Sequence, residues 1–317
     1  MNKQLLRFLC LALVGLIAIP LQAAEPVQLK YQFSKEKPLK YRISTAMEQN
    51  QKIGDQSNEI KMVNIADSNI SLVEMSEESD FVVNSTTTRL RVNMENPFSG
   101  TYEYDSNSED NPTEGFLAGQ LTPVFDALKG ASVNLTISNH GDIKEVKGYE
   151  ELMNKIMEKM PAAAPMAKNF SNESAKTQYK EAFPTLPETL VAPGDQWEAD
   201  FSIDLGPMGK AEGKKVYTFK GPSEVEGRKT VAIEVKHDIE IDIKVNQGLS
   251  SVTGKLKTKD SSGLIHFDPA LGEVVRVENQ YLIVGNLKVM AGGQVQVVES
   301  SQNHKITVDQ IPETTTE

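Results

Sequence analysis

Three groups of residues in this chain have types and spacings that could do chemistry. The first is His237. In TVAIEVKHDIEIDIKV, residues 230–245, the odd positions are Val231, Ile233, Val235, His237, Ile239, Ile241, Ile243 and Val245, and most even positions are charged. Strand side chains alternate between faces, so this imidazole shares a face with seven aliphatic groups. There it could serve as a ligand contact or a proton switch, because burial moves its pKa across the working range. The same placement suits an ordinary packed, hydrogen-bonded histidine, or a bulge near residues 236–238 could turn it outward. The second group is Met153, Met157 and Met160, thioethers one helical turn apart that could hold Cu(I). Leu152 and Ile156 continue their stripe, and core packing, with methionine as an adaptable filler, is the simpler account. The third is DSNSEDNPTEGF, which starts like a calcium loop at Asp105, Asn107 and Glu109. Asp110 stands where such a loop needs glycine and Phe116 where it needs glutamate, so it reads as a solvated loop.

The four histidines, His140, His237, His266 and His304, share no tight metal-ligand spacing, and AGGQ at 291–294 reads as a hairpin turn. No GxSxG, HExxH or phosphate loop is present, so no catalytic, cofactor-binding or metal residue is nominated and no cofactor is expected. The candidate ligand-facing residues are His237, Met153, Met157 and Met160.

The elements that would position these residues are mostly strands. Period-two alternation recurs from Leu39, Tyr41 and Ile43 through NSTTTRLRVNM, KKVYTFKG, GLIHFDP, GEVVRVENQYLIVG and QVQVVES, separated by PFSG, SNHGD, GPSEVEG, DPALG and AGGQ. The middle of the chain is helical. TPVFDALKG predicts a short helix near 123–129, with Thr122 as N-cap and Pro123 in the first turn. GYEELMNKIMEKMP predicts a second, with Tyr149, Leu152, Met153, Ile156, Met157 and Met160 on one face, and a third is expected around Lys176 to Phe183. The fold class is mainly β (α+β), with curved antiparallel sheets and central helices packed on them. Either two similar β-rich halves or one continuous sheet fits the pattern. The expected divisions are a leader at 1–23, a β-rich half at 24–147, a helical and Pro-rich connection at 148–193, a second half at 194–312 and a polar tail at 313–317.

The leader has Lys3 and Arg7 before the apolar run from Phe8 to Ile19, then Pro20 and Ala23, the form of a secretory signal peptide. Its loss would remove the only cysteine, Cys10, leaving a periplasmic or secreted protein without disulfides and without stable membrane insertion. Taking Lys3 and Arg7 from the 33 basic residues leaves 31 against 44 acidic ones, a net charge near −13. That balance disfavours nucleic acid and anionic lipid surfaces as partners.

At FPTLPETLVAPGDQWEADFSID the Leu186-Pro187 pair, the Pro193-Gly194-Asp195 turn and Trp197 resemble the LP…GDxW passage of an exported bacterial family known only as a domain of unknown function. YEYDSNSED and the strand, HGDIKEV, helix order are similar to it as well. The resemblance implies secretion and a β-rich fold, and it supplies no catalytic residues. The expected function is a noncatalytic binding or interaction module of the cell envelope, holding an apolar ligand between sheet and helices. The alternatives are an envelope scaffold with no small ligand, its partner an envelope protein, and, further off, a hydrolase using scattered carboxylates.

Overall fold

The computed structural model describes residues 25–76, 80–159, 172–180, 182–204, 209–247 and 250–312. The expected leader, Met160 and the tail at 313–317 lie outside the described residues. Twelve strands form one open antiparallel sheet. In chain order they are β1 (Leu39–Ile53), β2 (Gln56–Met75), β3 (Phe81–Asn96), β4 (Gly100–Asp105), β5 (Ser132–Ile137) and β6 (Ile143–Lys147), then β7 (Gln196–Asp204), β8 (Gly209–Val225), β9 (Arg228–Gln247), β10 (Ser250–Asp268), β11 (Glu273–Ala291) and β12 (Gln294–Gln310). Among the described residues three helices interrupt them: α1 (Phe116–Leu128), α2 (Tyr149–Lys159) and α3 (Asn172–Tyr179).

The spatial order is β6-β5-β3-β2-β1-β12-β11-β10-β9-β8-β7, with β4 beside the far half of β3. Six strands from the second half run as an up-and-down meander, each paired with the strand next to it in sequence. Glu226-Gly227 and Gly292-Gly293 both have positive φ at both positions, the geometry that matches the twist of flanking strands. AGGQ is therefore a hairpin turn. The two β-rich regions are joined by β1 pairing with β12, from Tyr41↔Gln310 to Lys52↔Glu299, so the sheet is continuous.

Three expectations about turns and helices change. GPSEVEG is strand as far as Val225 and turns only at Glu226-Gly227, and β8 carries a register shift between Phe219 and Gly221. Pro222 is tolerated there because β7 pairs with β8 only as far as Thr218, leaving that edge without a ladder to break. The helix predicted near 123–129 begins at Phe116 and carries Pro123 inside it, and Thr122 is not its cap. Leu117, Ala118, Leu121 and Phe125 pack with Leu90, Val92, Tyr102 and Tyr104, and this burial outweighs the hydrogen bond that Pro123 removes. The Thr122 hydroxyl instead donates to the Pro112 carbonyl at 2.7 Å. The third helix lies at Asn172–Tyr179, a few residues before its expected place.

Seven strand spacings separate β2 from β7, about 34 Å in a flat sheet at roughly 4.8 Å per strand. Met62 of β2 and Phe201 of β7 nevertheless line one cavity, so the sheet is coiled into a trough. Close strand approach permits this. A Cβ on Gly213 would fall on the Asp238 carbonyl oxygen, and one on Gly285 on the Lys255 carbonyl oxygen. One end of the trough is filled. Leu29, Tyr31, Tyr149, Met153, Ile156 and Ala175 from the N-terminal segment and helices join Val83, Leu135, Ile233, Phe267 and Val308 in the main core. Among the described residues no helix is long and apolar enough to cross a membrane.

Candidate functional site: an apolar cavity in the open end of the sheet

The described residues do not fill the other end of the trough. A cavity of about 710 Å³ lies between the walls made by β7–β12 and by β1–β2. Phe201, Ile203, Ala211, Ile239, Ile241, Ile243, Val245, Leu256 and Ile283 form most of its surface, with Met47 and Met62 opposite. The wall is apolar because these are the inward positions of alternating strands; Asp238, Glu240 and Asp242 occupy the intervening outward positions of β9. Glu240 spends its charge outside, held by Lys255 and Lys257, and those hydrogen bonds bring its carboxyl down to about 2.

At the boundary between core and cavity a polar row crosses the sheet. Lys215 of β8 pairs with His237 of β9, Ser261 of β10 with Tyr281 of β11, Tyr281 with His304 of β12, and His304 with Met47 of β1. The His237 and Tyr281 ring centroids are 5.1 Å apart, and Tyr281 and His304 stack at 4.9 Å with 14° between their planes. Tyr281, His304 and Gln302 line the cavity; His237 stands one ring behind, 4% exposed. His304 Nε2 lies 3.3 Å from Gln302 Oε1, and burial pushes the His304 pKa below the ordinary histidine value.

His237 keeps its inward place because the bulge falls on its neighbour. β10 shifts register against β11 between Thr258 and Asp260, and its pairing with β9 is interrupted from Lys257 to Leu264. Side chains replace the missing ladder acceptors: the His237 N–H donates to Ser261 Oγ at 2.8 Å and the Ile239 N–H to Thr258 Oγ1 at 3.0 Å. His237 Nδ1 is also 3.2 Å from Ser261 Oγ.

The other candidates are elsewhere. Met153 is 6% exposed within the main core and Met157 is half-buried on α2, so the helical stripe and His237 do not meet in one site. The helices plug the filled end, and the described residues that line the cavity all come from strands. Asp105 of the acidic loop is gripped by Arg89, at 3.1 Å and 2.6 Å, which with the Asn107 N–H holds its carboxyl at about 2. Asn111 closes that loop through the Asp105 N–H and the Asp105 and Ser108 carbonyls. Among the described residues no three His, Cys, Asp or Glu side chains cluster as a metal site.

Sequence reasoning missed Tyr281, Gln302, His304 and Lys215, although the signal was the one that singled out His237. His304 alternates with Ile306 and Val308, and Lys215 with Tyr217 and Phe219, each a polar side chain within an inward row. The LP…GDxW residues, by contrast, build the fold. Trp197 Nε1 donates to the Thr185 carbonyl at 2.8 Å and stacks on Tyr217, Asp195 Oδ2 accepts the Ala192 N–H at 2.8 Å, and the Leu186 N–H reaches the His140 carbonyl at 2.8 Å.

No curated protein matches the chain. Among solved structures it is similar to lipovitellin, in a structure of its lipid–protein interactions, with 11% identity and a TM-score of 0.43 over 90% of this chain. The chain spans only 27% of lipovitellin's length. It is similar to the β domain of the Bordetella autotransporter BrkA, with 6% identity and a TM-score of 0.21 over 86% of this chain and 100% of that one. A DUF1329 family protein from Desulfovibrio piger has 9% identity and a TM-score of 0.14 over 86% of this chain and 87% of that one. The model of a family of unknown function, DUF6263, matches residues 78–270, a span that contains the LP…GDxW passage and β9 with His237. With more than half of its length matched, the chain belongs to the DUF6263 family.

Proposed function

We propose that this protein is a noncatalytic binding module that holds an apolar ligand in the open end of its sheet, and that it works outside the cytoplasm after removal of residues 1–23. The observation that carries the reading is the cavity. Its volume of about 710 Å³ lies within the roughly 300–1,000 Å³ usual for ligand sites, and aliphatic side chains dominate its lining. Apolar surface facing water costs about 25 cal/mol per Å², so a cavity of this composition gains free energy when a hydrocarbon fills it. The export proposal rests on Lys3, Arg7, the apolar run and Ala23.

The full chain, expressed with its own leader and purified without detergent, is the material for the test. Native mass spectrometry is expected to show a copurified apolar molecule, and N-phenyl-1-naphthylamine is expected to brighten on binding the extracted protein. Ile241→Trp, which fills the cavity from β9, should abolish that signal while the thermal transition persists. Undiminished probe binding by the variant would place the ligand elsewhere. Absence of any bound molecule, together with a stable protein partner, would favour the scaffold reading instead. Retention of the uncleaved chain in the cytoplasm would overturn the export proposal.

A further inference from the structure

We infer that the ligand is a single-chain amphiphile with a carboxylate head, a fatty acid, and that it lies head inward, the carboxylate against Tyr281 and His304 and the tail toward the hairpin end. This rests on the cavity reading above and specifies it. The first observation is the polarity gradient along the wall. From the β9–β10 hairpin inward, β9 presents Val245, Ile243, Ile241 and Ile239, and only then reaches His237. β11 presents Ile283 before Tyr281, and on β12 the lining residues are Gln302 and His304. The polar groups therefore stand at the inner end, against the filled core. Hydrogen-bonding groups so placed suit a ligand whose polar end arrives there, because a buried head group must be hydrogen-bonded to be tolerated.

The second observation is charge. In a chain with 44 acidic residues, no Asp or Glu among the described residues lines the cavity, and none stands in the row Lys215, His237, Ser261, Tyr281, His304. That row instead holds a lysine and two imidazoles. Lys215 is 7% exposed, with its Nζ 5.7 Å from the centroid of the Phe201 ring, which itself lines the cavity. The inner end thus offers ring N–H and O–H groups and, among the described residues of the lining, no carboxylate, which suits an acceptor head group and is indifferent to an alkane. An imidazole N–H and a phenol O–H both donate, and a carboxylate accepts more strongly than an alcohol or ester oxygen.

The experiment uses the full mature chain after lipid extraction. Dodecanoate and dodecanol, of equal tail length, compete with bound N-phenyl-1-naphthylamine. Dodecanoate is expected to bind about tenfold more tightly or better, the equivalent of a charge-assisted hydrogen bond. His304→Leu and Tyr281→Phe should each erase most of that preference, and His304→Gln should keep part of it. In the wild-type protein, NMR cross-peaks should join the methylene next to the carboxylate to the Tyr281 and His304 ring protons, and the terminal methyl to Ile243 and Val245. This reading requires no variant to fold. Equal or reversed affinities, or a terminal methyl beside His304, would overturn the head-inward assignment while leaving an apolar-ligand module in place. Displacement by neither compound would remove both proposals.

Discussion

Replacing Arg228 by methionine isolates the ionic cluster that ties the β8–β9 and β10–β11 turns and the end of β12 together at the filled end of the trough. Arg228 Nε lies 2.7 Å from Asp268 Oδ2 and its Nη2 lies 2.8 Å from Glu273 Oε2, while Nη1 donates to Gln310. Both carboxylates are 6% exposed, so the substitution strands two negative charges away from water. Removing one partner of a buried ion pair costs about 3–5 kcal/mol. Here some compensation survives. Asp268 Oδ1 keeps the Ala270 and Leu271 N–H groups at 2.9 and 3.0 Å, and Glu273 keeps Gln310 Nε2 at 2.9 Å and the Lys37 ammonium at 3.6 Å. The lower end of the range follows, about 3 kcal/mol, or roughly 6–10 °C in Tm for a chain of this size. Burial works to raise the Asp268 pKa, but the Arg228 and backbone hydrogen bonds outweigh it and leave it below the ordinary carboxylate value. A carboxylate with a depressed folded-state pKa stabilises above its unfolded value and loses that contribution as pH falls through the folded one. In Arg228→Met the Asp268 carboxylate, without its guanidinium, takes up a proton more readily, so acidification relieves the variant before it harms the wild type. Urea unfolding at neutral pH and near pH 4.5 measures both effects. A loss below about 1 kcal/mol at neutral pH, or a gap that widens on acidification, would refute the account, since the pair would then be no better than a surface one.

Met153→Ala is expected to cost about 3 kcal/mol, the range for emptying a buried site, and Met157→Ala less than about 1; equal losses would contradict the burial difference on α2. Gly213→Val should lower stability by at least about 2 kcal/mol and weaken probe binding, because its Cβ meets the Asp238 carbonyl where the sheet coils around the cavity; a neutral effect in urea unfolding would show that the strands can part. The His304 pKa is lowered by burial, so the unfolded chain takes up the proton first and this residue destabilises the fold as pH falls below about 6.5. His304→Gln should therefore gain on the wild type between pH 8 and pH 5 in the absence of ligand, and a constant difference across that range would count against a buried imidazole.

By itself the sequence determined which side chains face inward along each strand. Alternation is a local property, fixed by the geometry of successive Cβ atoms, and it put Val231 through Val245, with His237 among them, on one face as the structure has them. The stripe of α2 was legible for the same reason, as were the turn at Gly292-Gly293 and the family passage around Trp197. The limits of α1 were not local, because the burial of Leu117 and Leu121 against β3 and β4 overrode the helix-start signal at Thr122 and Pro123. Only the tertiary structure decided where the bulge falls, since it depends on the pairing of β10 with two neighbours rather than on His237 itself. The cavity belongs to the same category: Met47, Met62, Phe201, Ile283 and His304 come together because β1 pairs β12 and the sheet coils between β2 and β7. Those contacts span up to most of the chain, and no periodicity within one strand encodes the register and curvature that create them.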